Sequence, residues 1–265
     1  DMVSRGLGDV YKRQLYGVIM SCIEGKVILI TGASSGFGMV TAKQCVEHGA
    51  KVVLGARRED RLSDLCNELG NENAIFKATD VTNKQQVNDL ANFGIDTFGK
   101  IDSLVNNAGI MPLSFIEQGR TDEWDSMIDV NIKGVLYAID SVYNHMIERG
   151  NGQIINISSV AGKRLIPGSA VYSGTKFAVG AISEGLRIES AGKLQVTCIF
   201  PGAFETELGT TIKDTSMLEY LASEAKYVNL AQPAERIAEA ILYALKQKPG
   251  VAANEIVLRP TAQDF

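Results

Sequence analysis

The chain has 265 residues, of which 45% are apolar and 22% are charged, and its net charge is −5. This composition is typical of one globular domain that is large enough to bury a full core. The negative charge and the absence of any run of lysines and arginines argue against a nucleic-acid-binding protein, so we expect a small-molecule partner.

The cysteines and histidines exclude further classes of protein. No Cys-x-x-Cys spacing occurs, and the four cysteines stand far apart in apolar or helical contexts: Cys22, Cys45, Cys66 and Cys198. They are predicted to be buried free thiols of a protein in a reducing compartment, and we expect it to be cytoplasmic. No other plausible ligand stands near either histidine in sequence, so we predict no metal centre.

The amino-terminal residues 1–19 carry mixed charges without periodicity. They are predicted to be an extension foreign to the fold, such as a cloning scar, and to be disordered. A basic pair before the short apolar stretch 15–23 superficially resembles a secretory signal, but no clear cleavage site follows, so export is not expected. One domain is predicted over residues 20–265.

From Lys26 onward, short β-branched runs alternate with longer amphipathic segments. The short runs predict seven buried strands: Val27–Thr31, Lys51–Ala56, Ala74–Ala78, Ser103–Asn106, Gln153–Ile157, Gln195–Phe200 and Glu255–Leu258. The longer segments predict six helices: Gly38–His48, Glu59–Leu69, Lys84–Phe98, Thr121–Arg149, Tyr172–Ser190 and Pro233–Lys246. This order predicts an α/β fold, a doubly wound seven-stranded parallel sheet with helices on both faces.

The first strand runs into a glycine-rich turn at residues 31–38, Thr-Gly-Ala-Ser-Ser-Gly-Phe-Gly, before the first helix. Glycines let this backbone turn tightly and approach a ligand, and the free amides of the helix amino terminus suit a pyrophosphate. The turn therefore predicts a dinucleotide site, with tight packing alone as the alternative. The expected contacts are Gly32, Ser34, Ser35, Gly36, Phe37 and Gly38.

The second strand ends in Gly55-Ala56-Arg57-Arg58, where an NAD-binding protein usually places Asp or Glu. A guanidinium can bind a 2′-phosphate through bidentate, charge-assisted hydrogen bonds. Arg57 and Arg58 are therefore predicted to bind the 2′-phosphate of NADP(H), in preference to NAD(H). The alternative is that both arginines pair with acidic residues at the start of the next helix.

Three residues in the second half of the chain suit proton transfer. Tyr172 and Lys176 stand four positions apart in a predicted helix, so their side chains project from one face. A neighbouring ammonium is expected to lower the pKa of the tyrosine, which is otherwise near ~10. Ser159 follows a predicted strand and can present its hydroxyl to a substrate oxygen, whereas Ser158 is expected to be structural.

Seven motifs follow one another along the chain: the turn 31–38, Asp80-Val81, Asn106-Asn107-Ala108-Gly109, Asn131, Ser159, Tyr172 with Lys176, and Pro201-Gly202 with Thr206. Together they resemble the motifs of the short-chain dehydrogenase/reductase family, and the resemblance covers nearly all of the chain after residue 19. It implies a Rossmann-type fold and a catalytic tetrad of Asn131, Ser159, Tyr172 and Lys176. Asn131 is expected to position a water that links Lys176 to solvent, and Tyr172 and Lys176 to border the nicotinamide ribose as well. The remaining implied cofactor contacts are Asp80, Val81, Asn107, Ala108, Gly109, Pro201, Gly202, Phe204 and Thr206.

The resemblance implies an NADP(H)-dependent oxidoreductase that interconverts a carbonyl and an alcohol. Several pocket and terminal stretches resemble a branch with clavaldehyde dehydrogenase and 3-hydroxy acid dehydrogenases. Two alternatives stay open: an NADP-binding regulatory protein without turnover, and an epimerase or dehydratase on the same fold. The family also implies a homotetramer, or a homodimer, formed through the two long helices.

The segment 203–230 follows the cofactor loop and is expected to fold over the substrate as a lid. Its candidate apolar contacts are Leu208, Ile212, Met217 and Leu221. The residues expected opposite them are Met111, Leu113, Arg164 and Leu165. An ordinary amphipathic helix packed on the sheet is the alternative for this segment.

Overall fold

A computed structural model describes residues 23–224 and 230–264 of the chain. The predicted extension 1–19, Cys22 and residues 225–229 of the predicted lid lie outside the described residues.

Seven parallel strands form one sheet, in the order β3-β2-β1-β4-β5-β6-β7. The strands are β1 Val27–Thr31, β2 Lys51–Ala56, β3 Ala74–Ala78, β4 Ser103–Asn106, β5 Gly152–Ile157, β6 Leu194–Pro201 and β7 Glu255–Leu258. The predicted fold class is confirmed. The chain order reverses direction between β1 and β4, and ligands of such sheets bind at the carboxyl ends of the strands beside this point.

The described residues form eight α-helices, six of which cover the sheet. They are α1 Gly36–Glu47, α2 Glu59–Leu69, α3 Lys84–Phe98, α4 Thr121–Ile128, α5 Gly134–Arg149, α6 Ala170–Glu189, α7 Thr215–Ser223 and α8 Glu235–Leu245. Short 3₁₀ helices lie at Ile116–Gln118, Val160–Gly162 and Glu207–Thr211.

The helix predicted over Thr121–Arg149 is interrupted. A π-helical turn at Asp129–Lys133 separates α4 from α5, and the Gly134 amide donates to the carbonyl of Asp129, five residues earlier. No glycine or proline within Asp129–Lys133 marks the interruption, so the sequence predicts one continuous helix. Such turns concentrate at functional sites, and this one contains Asn131.

The sheet buries a separate apolar cluster on each face, because alternate strand residues point to opposite sides. In β1, Ile28 and Ile30 face the cluster covered by α1, α2 and α8, whereas Val27 and Leu29 face the cluster covered by α3, α5 and α6. All five residues of β1 are buried, as a central parallel strand requires. The strand ends are thereby fixed on both faces, which holds the loops above them in place.

Three cysteines lie inside these clusters as free thiols, as predicted. Burial raises the pKa of Cys45 to about 12 and the pKa values of Cys66 and Cys198 to about 11. These thiols therefore stay protonated near neutral pH and are poor nucleophiles. Over residues 23–224 and 230–264, no helix has both the length and the apolar character needed to cross a bilayer.

Candidate active site

The two serines after β5 have different roles. Ser158 is buried, and its hydroxyl donates to the main-chain oxygen of Lys176 at 2.8 Å, so it ties the strand end to α6. Ser159 is half-buried and accepts from the Ala161 amide at 3.1 Å as the cap of a 3₁₀ turn. Its hydroxyl is also near the Tyr172 phenol and lowers the pKa of that phenol. Ser159 is therefore the serine that lies beside the phenol.

Tyr172 and Lys176 lie one turn apart on α6 and are both buried, with exposed fractions of 4% and 6%. The Lys176 Nζ lies 5.8 Å from the centroid of the Tyr172 ring. The same ammonium donates to the carbonyl oxygen of Ile157, at the end of β5, at 3.0 Å. The strand end and the helix thus bring Ser159, Tyr172 and Lys176 together.

The expected lowering of the tyrosine pKa is not found. Burial raises the pKa of Tyr172 to about 12, and the nearby Ser159 hydroxyl offsets only part of that effect. Burial also lowers the pKa of Lys176 to about 8. The loss of solvent around both buried groups outweighs the effect of the Lys176 charge on the phenol.

Asn131 is completely buried in the π-helical turn. Its Nδ2 donates to the Ile110 carbonyl at 2.9 Å and to Thr175 Oγ1 at 3.1 Å, and its Oδ1 accepts from the Ile110 amide at 2.9 Å. The side-chain amide therefore joins the loop after β4 to helix α6. A Cβ added at Gly109 in that loop would lie 3.6 Å from Lys176 Nζ, so the loop borders the ammonium.

The glycine-rich turn is locked onto the loop after β4. Asn107 Nδ2 donates to the carbonyl oxygens of Thr31 and Gly32 at 3.0 and 3.1 Å. In return, Thr31 Oγ1 accepts from the amides of Asn107 and Ala108 at 3.1 and 3.2 Å. The motif Asn-Asn-Ala-Gly thus supports the turn that precedes α1.

Glycine is required at two positions of this turn. Gly32 has a φ of +67°, and a Cβ there would lie 2.8 Å from the Cα of Ala108. A Cβ on Gly38 would lie 2.5 Å from Asn107 Nδ2 and 2.6 Å from the Gly32 carbonyl oxygen. Helix α1 begins at Gly36 after Ser35, whose side chain does not cap it, so the first-turn amides lack a side-chain partner.

The structure separates the two arginines after β2. Arg58 lies over the turn, donating from Nε and Nη2 to Ser34 Oγ at 3.1 and 3.0 Å and from Nη2 to Ser35 Oγ at 2.7 Å. Arg57 is exposed and has no such contact. Arg58 also pairs with Glu207, not with the acidic residues of α2 that the alternative interpretation named.

Asp80 and Val81 follow β3, on the far side of the glycine-rich turn. Asp80 Oδ1 accepts from the amide and the hydroxyl of Thr82 at 2.9 and 2.8 Å. Val81 is buried and packs on the start of α5, where a Cβ on Gly134 would lie 2.8 Å from its side chain. Both residues are fixed at the same edge of the sheet as the turn.

The loop after β6 closes against the glycine-rich turn from the other side. Phe204 packs edge-on against Phe37, with ring centroids 6.3 Å apart. A Cβ on Gly36 would lie 3.3 Å from the Thr206 methyl group. The predicted residues Pro201, Gly202, Phe204 and Thr206 thus lie at the carboxyl end of β6, next to the turn.

Sequence reasoning missed a carboxyl-terminal residue that holds this loop. Gln263 is buried, and its Oε1 accepts from the Ala203 amide at 2.9 Å and contacts Gly202. It also missed Glu207 and Arg61, which form an ion pair at 2.6 Å. The position of Arg61, three residues after Arg58 at the start of a helix, was the one signal that the sequence offered.

Part of the predicted lid packs around the phenol. Leu113, Ile212 and Met217 form a buried cluster with Tyr172, and Met111 and Leu221 pack against it. The other predicted contacts lie elsewhere: Leu208 is half-buried outside this cluster, Arg164 is exposed and Leu165 is 70% exposed. Thr211 Oγ1 accepts from the Met111 amide at 3.0 Å, which ties the segment to the loop after β4.

Comparisons with known proteins agree with this arrangement. The family model described as short chain dehydrogenase matches residues 26–216. An uncharacterized oxidoreductase of Staphylococcus saprophyticus is 47% identical over 249 residues, which is 93% of this chain and 100% of the relative.

Two solved structures are similar in fold and in sequence. The closed form of serine dehydrogenase complexed with NADP+ has a TM-score of 0.83 and 32% identity, covering 90% of this chain and 96% of that one. A short chain dehydrogenase/reductase from Burkholderia phymatum in complex with NAD has a TM-score of 0.81 and 26% identity, covering 89% of each chain. With its sheet order, glycine-rich turn and Ser-Tyr-Lys group, the chain belongs to the short-chain dehydrogenase/reductase family of oxidoreductases.

Proposed function

We propose that this protein is an NADP(H)-dependent oxidoreductase that interconverts an aldehyde or ketone and the corresponding alcohol. One observation carries the proposal. Ser159, Tyr172 and Lys176 lie close together at the end of β5, at the same edge of the sheet as the glycine-rich turn. A proton donor and a dinucleotide-binding turn at one edge suit hydride chemistry.

The residues of the turn fit a dinucleotide. The helix amino terminus at Gly36 has no side-chain cap, and backbone amides there can hold a pyrophosphate. A side chain on Gly32 or Gly38 would collide with the backbone or with Asn107, so the turn is held compact and open to a ligand. Asp80, Val81 and the loop Asn107–Gly109 are proposed to border the adenosine, and Pro201, Gly202, Phe204 and Thr206 the nicotinamide side.

When bound, the nicotinamide would supply or accept a hydride. In the direction of reduction, Tyr172 donates the proton that the carbonyl oxygen needs, since a pKa of about 12 keeps the phenol protonated. Ser159 donates a hydrogen bond to the same oxygen, on which negative charge builds up. The buried cluster of Leu113, Ile212 and Met217 around Tyr172, the lid cluster, excludes water from this oxygen.

Lys176 is proposed to hold a positive charge beside Tyr172 during proton transfer and to bond the nicotinamide ribose. Its bond to the Ile157 carbonyl holds the ammonium at the end of β5, on the helix of Tyr172, and supports this role. Asn131 is proposed to complete the tetrad by holding the loop 107–110 and helix α6 in register. The water that the family resemblance assigns to Asn131 would then lie near the π-helical turn.

Arg58 supports a preference for NADP(H). Its guanidinium lies against Ser34 and Ser35 at the end of β2, where a 2′-phosphate would be recognised. One similar structure carries NADP+ and another carries NAD, so membership of the family does not decide the cofactor. The preference for NADP(H) therefore rests on Arg58. Arg57 is proposed to contribute less, because its side chain is exposed.

The substrate is proposed to be a small carbonyl compound or a 3-hydroxy acid, bound between Tyr172 and the lid segment. One similar structure is a serine dehydrogenase, and serine is a 3-hydroxy acid. The buried cluster of Leu113, Ile212 and Met217 offers an apolar wall to such a substrate. This agrees with the resemblance to clavaldehyde and 3-hydroxy acid dehydrogenases.

We further propose a cytoplasmic homotetramer, or a homodimer, formed through α5 and α6. Large apolar side chains are exposed on these helices: Leu136, Phe177 and Ile188. The three buried free thiols suit a reducing compartment. A monomer in light scattering at micromolar concentration would contradict the assembly.

The function is tested by the absorbance of NADPH and NADH. Their consumption is measured with aldehydes, ketones and diketones, and their formation from NADP+ and NAD+ is measured with 3-hydroxy acids. NADPH consumption that depends on the carbonyl compound supports the proposal. Binding of both dinucleotides without turnover across the panel would favour a regulatory protein.

A further inference from the structure

A single carboxylate joins two guanidinium groups at the rim of the proposed cofactor site. Glu207 Oε2 accepts from Arg58 Nη1 at 2.7 Å, and Glu207 Oε1 accepts from Arg61 Nη1 at 2.6 Å. The arginines lie 149 and 146 residues away from Glu207 in sequence. The contact therefore links the end of β2 and the start of α2 to the segment that follows β6.

The carboxylate stands among the side chains proposed for the 2′-phosphate. The remaining nitrogens of Arg58 donate to the hydroxyls of Ser34 and Ser35, at distances between 2.7 and 3.1 Å. The nearby Ser35 hydroxyl also lowers the pKa of Glu207. Every side-chain nitrogen of Arg58 therefore donates a hydrogen bond, and one of the acceptors, the Glu207 carboxylate, is an anion.

The charge of this anion is permanent near neutral pH. The hydrogen bonds from Arg61 and Arg58 hold the pKa of Glu207 at about 2. A phosphate monoester carries a charge between about −1.5 and −2 near pH 7 and offers three acceptor oxygens, whereas a carboxylate offers two. Two guanidiniums therefore favour the phosphate, and a bound phosphate repels the carboxylate.

The ion pairs can be broken at small cost. The side chains of Arg58, Arg61 and Glu207 are between 40% and 45% exposed, and ion pairs of this kind are weak. Arg61 and Glu207 border a cleft of about 540 Å³ between α1, α2 and the segment after β6, with Ser34, Ser35 and Thr206 on its walls. A ligand phosphate can therefore approach the pair from solvent.

We propose that Glu207 is an internal competitor of the 2′-phosphate, and that Arg61 is a second arginine of the phosphate site. Binding of NADP(H) then takes both guanidiniums from Glu207, whereas a dinucleotide without the 2′-phosphate leaves the bridge in place. The inference rests on the proposed function, since it needs an adenine dinucleotide at the glycine-rich turn.

The bridge also reaches the lid. Glu207 begins the 3₁₀ helix Glu207–Thr211, whose Thr211 bonds the Met111 amide beside the lid cluster. Release of Glu207 therefore frees the first turn of the lid from the end of β2.

Calorimetric titration with adenosine 2′,5′-bisphosphate and with adenosine 5′-monophosphate tests the competition without turnover. Glu207→Gln keeps the size of the side chain and removes its charge. We expect it to bind the bisphosphate about three- to tenfold more tightly, as the loss of two exposed ion pairs implies, with unchanged affinity for the monophosphate. Arg61→Gln should weaken binding of the bisphosphate and leave binding of the monophosphate unchanged.

Glu205→Gln is the matched control, because it changes the same charge on the wall of the same cleft without an arginine contact in the described residues. An equal gain in this variant would show a general charge effect and overturn the inference. Unchanged or weaker bisphosphate binding by Glu207→Gln would also overturn it. If the unmutated protein binds both probes equally, the NADP(H) preference fails; if it binds neither, the proposed function fails as well.

Discussion

Asn131 holds both polar groups of the Ile110 backbone. Its Nδ2 donates to the Ile110 carbonyl and its Oδ1 accepts from the Ile110 amide, each at 2.9 Å. A second bond from Nδ2 reaches Thr175 on α6, the helix that carries Tyr172. One buried amide therefore ties the loop that borders the glycine-rich turn to the helix that carries Tyr172.

Asn131→Asp should lower both the stability of the protein and its turnover rate. A carboxylate can accept from the Ile110 amide but cannot donate to the Ile110 carbonyl or to Thr175, and unsatisfied buried groups cost about 1–3 kcal/mol each. We expect the free energy of unfolding in urea to fall by about 2–4 kcal/mol. Asn144→Asp, an exposed change on α5, is the control. Equal stability of the two variants would contradict the proposed role of the Asn131 hydrogen bonds.

The neighbouring serines should respond differently to replacement by alanine. Ser159→Ala should lower kcat by about 10²–10³, since it removes a hydrogen bond to the developing oxyanion, with little change in stability. Ser158→Ala should lower the free energy of unfolding by about 0.5–1.5 kcal/mol, since it removes a buried bond to the Lys176 carbonyl. Steady-state kinetics and urea unfolding of both variants check this. A larger loss of kcat in Ser158→Ala would reverse the assignment.

The rate of carbonyl reduction should fall as the pH rises through about 8. The pKa of Lys176 is lowered by burial to about 8, so its charge is present below that pH and lost above it. Tyr172, with a pKa of about 12, stays protonated over the same range and does not cause the fall. The pH profile of kcat/KM for the carbonyl, with unfolding followed in parallel, measures this. A profile that rises between pH 7 and 9 would contradict it.

Arg58→Ala should weaken NADPH binding at least about tenfold, because charge-assisted bonds to a phosphate are lost, while NADH binding changes little. Arg57→Ala is a matched control, since this side chain is exposed and does not contact the turn. Fluorescence titration of the reduced dinucleotides gives both dissociation constants. Equal losses in the two variants would show that the contacts of Arg58 with Ser34 and Ser35 do not mark the phosphate site.

The regular elements follow from the sequence because buried parallel strands have a strong local signature. The predicted strand Val27–Thr31 is observed with the same bounds, and β6 is one residue longer at each end than predicted. Each strand is a short β-branched run bounded by turn residues, so its ends are fixed locally. The π-helical turn at Asp129–Lys133 has no such signature, and it was missed.

The site was predictable where motifs are local and not where contacts are long-range. The spacing of Tyr172 and Lys176 on one helix placed both side chains in the site. The bonds of Arg58 with Glu207 and of Gln263 with Ala203 join segments far apart in sequence, which no local pattern reveals. The predicted lowering of the Tyr172 pKa is wrong for a related reason. The pKa is raised by burial, and burial depends on the packing of α6 against β5 and the lid segment.

Tyr172→Phe tests the central claim most directly. NADPH consumption with the best carbonyl substrate is compared between this variant and the unmutated protein at saturating cofactor, with Tyr143→Phe, a partly buried tyrosine of α5, as control. If Tyr172 donates the proton, its variant binds NADPH normally and loses at least about 10²-fold in kcat, while the control keeps full activity. Full activity of Tyr172→Phe would contradict the mechanism.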